Sequence, residues 1–300
     1  MGDSNQKRNG VIVVDKPGGW TSHDVVNKVR RIAGTKKVGH LGTLDPLATG
    51  VLPLVVGRAT RLAQFFTKND KLYEGVIHFG YSTDSYDSDG APTSAEAPMV
   101  LDCEQVERAL APFRGTFEQV PPPVSAKKIA GRPAYELARG GQVVALKPVT
   151  VTVHSLDLVS IAGCTARVRV HCSAGTYIRS IAHEAGKILG CGAHLQELRR
   201  LASGDFRMEQ ARTLEQLSQL AAEDRLAEAL IPSAELLPEF PVELVDLATA
   251  GQIRNGRDFR VSPFHRQDHI TYVKAVTQDG ELVAIGEARL PFLYHPVLVV

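Results

Sequence analysis

The segment Gly39-His40-Leu41-Gly42-Thr43-Leu44-Asp45-Pro46-Leu47-Ala48-Thr49-Gly50 runs directly into the apolar stretch Val51-Leu52-Pro53-Leu54-Val55-Val56. No other part of the chain constrains the fold as tightly. Glycine permits positive φ and close backbone approach. Proline removes helix from its own position and from the one before it. Asp45 is therefore held on a stiff, non-helical loop, and the strand behind it anchors that loop in a core. A lone acid displayed this way is a candidate nucleophile or base. Asp-Pro is also a common turn opener, and local spacing alone does not separate the two readings.

Composition narrows the classes. A chain of 300 residues with 44% hydrophobic content is globular, with room for one large domain and a smaller one, or for two domains. The formal net charge is +1, so an RNA partner requires positive charge gathered on one face. No run approaches transmembrane length, and residues 1–9 are polar without an apolar signal core, which points to a cytoplasmic protein with no membrane contact. Cys103, Cys164, Cys172 and Cys191 form no Cys-x-x-Cys pair and read as reduced, mostly buried thiols rather than a metal or disulfide framework. There is no Gly-x-Gly-x-x-Gly fingerprint, P-loop or metal-ligand spacing, so neither cofactor nor metal is expected.

Along the chain, Val11 to Val14 predict a strand that ends in the turn Asp15-Lys16-Pro17-Gly18-Gly19, where Lys16 reads locally as a solvated turn residue. Thr21 or Ser22 caps a helix with Val25, Val26, Val29 and Ile32 on one side, closed by Gly34. Its other side carries Lys28, Arg30 and Arg31, followed by Lys36 and Lys37, a candidate phosphate-facing surface. Ala59 to Phe66 reads as a short amphipathic helix. Lys71 to Phe79 alternates, which turns Tyr73 inward with Ile77 and Phe79 and puts Glu74 and His78 opposite. The acids of Thr83 to Gly90 fall at the wrong offsets for an EF-hand, so a solvated acidic loop is expected. Asp102 to Leu110 predicts a helix. Proline keeps Val120 to Lys128 extended, and its Ser125-x-x-Lys128 lacks the companion motifs of a penicillin-binding site.

Val149 to Leu158 and Ala166 to Cys172 predict strands. Thr176 is the expected N-cap of a helix closed by Gly190. Arg179 then sits in the first turn, where the macrodipole opposes a cation by a few tenths of a kcal/mol or more (~0.3–1). A cation there suggests a compensating anion nearby; the alternative is an exposed arginine that bears the small penalty. His183-Glu184 is not a zinc motif, because Lys187 stands where the second histidine would be. Thr213 and Gln216 predict a capping box, with a second helix following to Ile231. Beyond Pro232, Pro238 and Pro241, a helix from Leu244 to Ile253 and strands around a Gln278-Asp279-Gly280 turn predict a small β-rich module.

The wording of residues 39–53 resembles the catalytic-aspartate motif of the TruB family, the tRNA pseudouridine-55 synthases. Further segments match in order: Lys16-Pro17, the Lys71-x-Tyr73 pair, the Thr83 to Gly90 loop, Ser125-Ala126-x-Lys128, Gly175-Thr176-Tyr177-Ile178-Arg179, and the motif around Leu198-Arg199-Arg200. The resemblance spans about residues 10 to 210. It implies an α+β fold: a pseudouridine-synthase-type mixed, largely antiparallel sheet flanked by helices, with a small C-terminal β-rich PUA-like domain. The expected division is a tail at 1–9, a catalytic domain at 10–238 with an RNA-clamp insertion near 121–148, and a PUA-like RNA-binding domain at 239–300.

The resemblance also implies roles. Asp45 is the nucleophile or base, with Arg179 paired to it and Tyr73 stacked under the target uracil. His40, Tyr177, Leu198 and Lys16 contact the substrate, His40 by replacing the flipped nucleotide. Leu41 stands where the family usually has threonine. The implied activity is cofactor-independent isomerisation of uridine 55 in the tRNA T-loop, by a monomer needing no protein partner. Attack on C6, attack on C1′ and abstraction at C2′ all stay open for Asp45. Three rivals frame this reading. A non-catalytic RNA binder would not need Asp45. A guide-RNA-dependent, dyskerin-type synthase usually carries long basic extensions, which are not seen here. An aspartyl phosphotransferase needs a second acid two residues on, where Leu47 stands.

Overall fold

The computed structural model describes residues 9–97, 99–123, 128–129, 132–133, 147–262 and 270–300. Ser125, Ala126, Arg139 and Gly140-Gly141, and with them most of the expected clamp, lie outside the described residues, as do residues 1–8. The first sheet uses β1 (Gly10–Lys16), β2 (Val38–His40), β3 (Thr49–Val56), β4 (Lys71–Phe79) and β5 (Gly115–Gln119). The short pair β6 (Lys128–Ile129) and β7 (Arg132–Pro133) stands apart. Then come β8 (Val149–Ala162), β9 (Thr165–Cys172), β10 (Ala193–Ser203), β11 (Phe206–Arg207) and β12 (Leu230–Pro232).

The strand order is β12-β1-β3-β10-β4-β9-β8-β5, with β2 on β3 and β11 on β10. The pairings are antiparallel except β3 with β10, which run parallel over Thr49–Gly50 against Arg199–Arg200. The ladder between these two strands is confined to those positions.

Alternation along the strands gives this sheet one apolar face throughout and a second around β1 and β3. Ile12, Val14, Leu52, Leu54, Ile77, Val168 and Val170 face one way. They are covered by α1 (Ser22–Ala33), α2 (Cys103–Leu110), α3 (Ile178–Leu189) and α4 (Leu214–Ala222) through Val25, Val29, Val106, Ile181, Ala185 and Leu217. Thr21 caps α1 in a full capping box with Asp24, and Thr213 caps α4 likewise with Gln216. Tyr177, not Thr176, is the N-cap of α3, because the Thr176 hydroxyl is engaged by the Ser173 carbonyl one turn earlier. The short helix expected from Ala59 to Phe66 is a 3-10 helix over Gly57–Phe66. The helix expected to reach Ile231 gives way to a 3-10 turn at Leu226–Ala229 and then β12, which pairs with β1.

On the other face, Val11, Val13, Val51 and Val55 share a core with Leu62, Phe66 and residues of a second sheet, Val276, Leu282, Ile285 and Leu298. That sheet comprises β13 (Val242–Val245), β14 (Phe259–Arg260), β15 (Tyr272–Thr277), β16 (Leu282–Leu290) and β17 (Leu293–Val299) in the order β13-β15-β16-β17-β14. Leu244 lies in β13, so the expected helix starts later, as α5 (Leu247–Arg254). Asp246 caps it by accepting from the Thr249 amide. Buried Lys274 bonds the connecting segment by donating to the carbonyls of Ala234 and Leu236, each at 2.9 Å. Of the cysteines only Cys172 is fully buried, and Cys103 is exposed, against the expectation that most would be enclosed. No helix among the described residues is long and apolar enough to cross a membrane.

Gly50, at the start of β3, has φ +96°, and a Cβ there would lie 2.3 Å from the Arg200 carbonyl oxygen. Gly50→Ala is expected to destabilise the chain by at least about 1–3 kcal/mol, read as a lower urea midpoint with an unchanged slope.

Candidate active site

Backbone carbonyls near a core need donors, because water cannot reach them. Those of the Asp45 loop are supplied one by one. The Arg200 guanidinium, 1% exposed, donates to Thr43 O at 3.2 Å, to Gly42 O at 3.1 Å and to Val51 O at 2.7 Å. Ser22 Oγ donates to Leu44 O at 3.0 Å and accepts from the Leu44 amide at 2.8 Å. Lys16 Nζ donates to Pro46 O at 3.2 Å, Ala48 O at 2.6 Å and Pro17 O at 2.9 Å. Asp45 O itself accepts from the Ala48 amide at 3.1 Å, closing the turn.

The carboxylate meets Arg179, whose Nε lies 3.0 Å from Asp45 Oδ2. This guanidinium is buried in the first turn of α3, as the helix-end argument anticipated. It has a second acid: Nη1 lies 3.1 Å from Asp87 Oδ2 and donates to Ser85 O at 3.0 Å. Asp87 is buried rather than solvated, which corrects the expectation for its loop. Ser85 Oγ donates to Asp87 Oδ1 at 2.5 Å, and the Asp89 amide does so at 3.2 Å. The loop is fixed on β10 by mutual backbone bonds around Leu195: its amide reaches Tyr86 O at 3.0 Å, and its carbonyl accepts from Ser88 N at 3.0 Å. Tyr86 adopts φ +66° and stacks on His183 of α3 with centroids 3.6 Å apart and planes 10° from parallel.

Burial pushes the Asp45 carboxyl above the ordinary carboxylate range; Arg179 opposes the shift, Asp87 adds to it, and Lys16 opposes it again. Some 35% of the Asp45 side chain still faces the open cavity, so water and ligand reach it. Lys16 is lowered to about 8, chiefly by burial, and Lys71 to about 8 for the same reason. Both remain mostly charged at neutral pH. Burial raises the Tyr73 phenol, which keeps its proton.

Asp45, Arg179, Lys71 and Tyr73 border a cavity of about 490 Å³. Its wall brings together Asp45, Arg179, Tyr73, His40, Tyr177 and Leu198 from segments distant in sequence. Tyr73 and Leu198 come from the paired strands β4 and β10, both nearly buried. His40 stands exposed at the end of β2. Gln119 grips the Tyr177 backbone on both sides, accepting from its amide at 2.8 Å and donating to its carbonyl at 3.0 Å.

Lys16 is the exception among the expected contacts. It is wholly buried beneath the loop and absent from the cavity wall, so it braces Asp45 from below instead of meeting a ligand. Arg30 departs too: it turns inward to Asn27 Oδ1 and Val38 O, away from a phosphate-facing role. Sequence reasoning missed Asp87, Gln119, Ser22, the loop-binding role of Arg200, and Lys71 in the wall. For Asp87 a signal was present in Gly90, where any Cβ would lie 2.2 Å from Ser85 Oγ; such a glycine marks a loop folded on itself. Leu41, 6% exposed, packs in the core it shares with Leu62 and Phe66.

Comparison with known proteins agrees with this architecture. A family model described as TruB family pseudouridylate synthase (N terminal domain) matches residues 30–178, and one described as tRNA pseudouridylate synthase B C-terminal domain matches residues 179–238. The tRNA pseudouridine synthase B of Solibacter usitatus is 65% identical over 290 residues, 97% of this chain and 99% of that one. Its counterpart from Syntrophotalea carbinolica is 46% identical over 233 residues, 78% of this chain and 76% of its own. Among solved structures, a Cbf5-Nop10-Gar1 complex contains a chain that aligns with TM-score 0.69 and 28% identity, over 96% of this chain and 80% of that chain. An H/ACA RNP bound to a substrate RNA containing 2′-deoxyuridine gives TM-score 0.71 and 26% identity, over 98% and 86%.

Two outcomes follow from the electrostatics. Carboxyl-carbon NMR is expected to titrate Asp45 above the ordinary aspartate range, and Asp87→Asn, which removes a charge that raises it, is expected to move that midpoint to lower pH. Lys16→Met strips a donor from three carbonyls and is expected to cost at least about 1–3 kcal/mol, measured by urea unfolding.

Proposed function

The chain belongs to the TruB family of pseudouridylate synthases, and from that membership and the pocket geometry we propose that it converts the uridine at position 55, in the T-loop of tRNA, into pseudouridine. Pseudouridine formation in tRNA is its enzyme class, an isomerisation. The roles of the residues are carried by one observation, the Asp45–Arg179 ion pair in the wall of a cavity that Tyr73, Tyr177 and Leu198 also line; T-loop specificity rests on the resemblance of the motifs to the TruB family.

The reaction breaks the C1′–N1 bond, turns the uracil and forms a C1′–C5 bond. The proton on C5 is lost and N1 ends protonated, so atoms balance without an oxidant or reductant. Addition of a carboxylate to C6, attack on C1′ and removal of the C2′ proton differ in their intermediates, yet each starts from an ionised acid. Asp45 supplies it, and Arg179 with Lys16 offsets the cost of holding that charge in a recessed wall. The base must leave its stack, at about a few kcal/mol, and a cavity of about 490 Å³ falls within the roughly 300–1,000 Å³ of small-molecule sites. Tyr73, kept neutral, offers a ring to stack on, while Leu198 and Tyr177 close the sides. His40 at the rim fills the place the nucleotide vacates. Lys28, Arg31, Lys36 and Lys37 sit on and just after α1 and meet phosphates, which makes binding weaken with salt.

Asp45→Asn is expected to lower the single-turnover rate by at least about 10²–10⁴-fold, followed by tritium release from tRNA carrying 5-tritiated uridine. Equal release by variant and wild type would falsify the nucleophile-or-base assignment. The substrate is a T-arm hairpin with nothing added. Turnover there supports a protein that acts alone, whereas a requirement for a guide RNA or protein would favour the ribonucleoprotein mode named for the solved relatives. In wild type the rate should rise with pH through the raised Asp45 midpoint, since the ionised form is the active one.

A further inference from the structure

Strands β4, β9 and β8 lie side by side in the first sheet. On their open face, just outside the cavity, three ligand-type side chains converge. Asp70 immediately precedes β4. His171 is the penultimate residue of β9. His154 falls at a bulge in β8, where the register steps from Val153↔Cys172 to Ser155↔His171. An extra residue on one strand re-aims its neighbours. Here Val153 stays buried and His154 emerges beside His171 on the open face.

His154 Nε2 lies 3.1 Å from Asp70 Oδ2, and His171 Nε2 lies 3.9 Å from the same oxygen. The imidazole rings stand 4.7 Å apart at 45°, and one donor atom from each of the three residues lies within 4.8 Å of the others. A tetrahedral ion with bonds of about 2.0–2.1 Å spaces its ligand atoms about 3.3 Å apart. Small rotations of exposed side chains close the triangle to that size. A surface His–Asp pair accounts for one imidazole only. The second, on the neighbouring strand, completes the two-imidazole, one-carboxylate set that suits late first-row divalent ions. The side chains are 39%, 45% and 46% exposed, which leaves the remaining coordination positions open to water.

We propose that Asp70, His154 and His171 form a binding site for a transition-metal dication of the zinc type, separate from the catalytic pocket. Its position gives it a consequence. Asp70 adjoins Lys71, and His171 stands two residues before Ser173; Lys71 and Ser173 both line the cavity. A bound ion would tie β4, β9 and β8 together at the point where the wall begins.

The test uses the full chain, stripped with chelator and titrated with zinc chloride by calorimetry, beside His154→Ala, His171→Ala and the double variant. Circular dichroism checks that each is folded, which exposed positions favour. The expected result is one equivalent bound by wild type, with at least about tenfold weaker binding on loss of either imidazole, the lower end of what even outer-shell changes cost. Zinc should also raise the melting temperature of wild type and leave that of the double variant unmoved. The Co²⁺ adduct should absorb in the visible in wild type alone. No binding by wild type, or equal binding by the folded double variant, overturns the proposal.

Discussion

Two buried cations, Lys16 and Arg200, fix the shape of everything around Asp45. The loop from Gly42 to Ala48 passes too close to the core for water to satisfy its carbonyls, and these side chains supply the donors. Each cation loses solvent in doing so, and the depressed Lys16 value of about 8 shows the size of that loss. By linkage, a lysine lowered in the folded state weighs on stability most below that value and less as pH rises towards its unfolded pKa. The fold therefore carries a standing cost at neutral pH. In return, a stiff loop holds the acid above two fixed positive charges, in a geometry that needs no rearrangement when a ligand arrives.

Arg179 extends the same logic sideways. It is one guanidinium between two carboxylates, with Asp45 open to the cavity and Asp87 enclosed. The enclosed acid aims the fork and keeps it from collapsing wholly onto Asp45. It also raises the Asp45 value, working against the arginine it positions. The acid facing the cavity is thus neither fully neutralised nor left without a counter-charge.

Much of this was legible in the residues, and the failures have physical causes. Asp45 was readable because glycine and proline restrict the backbone whatever the tertiary context. Arg179 was readable because a cation at a helix N-terminus asks for an anion. Lys16 was misread because a turn motif fixes the backbone and says nothing about which way a long side chain points. The burial of Asp87 rests on a left-handed Tyr86 and its stack on His183, contacts that no local periodicity encodes. At Leu244, apolar spacing fitted helix and strand alike; parallel pairing with β15 decided for strand, and the capping acid Asp246 marked the true start of α5. The strand order and the second sheet's contact with the first are long-range facts, beyond any window of sequence.

The apolar layer shared by the two sheets bears on biosynthesis. Val11, Val13, Val51 and Val55 leave the ribosome well before Val276, Leu282, Ile285 and Leu298, which complete their packing. Until the second sheet is made, the nascent chain holds a greasy, half-covered β-surface. Chaperone dependence and premature termination would both act through that one seam, since a chain stopped near Leu237 keeps every residue of the Asp45–Arg179 pair and lacks the sheet that shields the strands behind it.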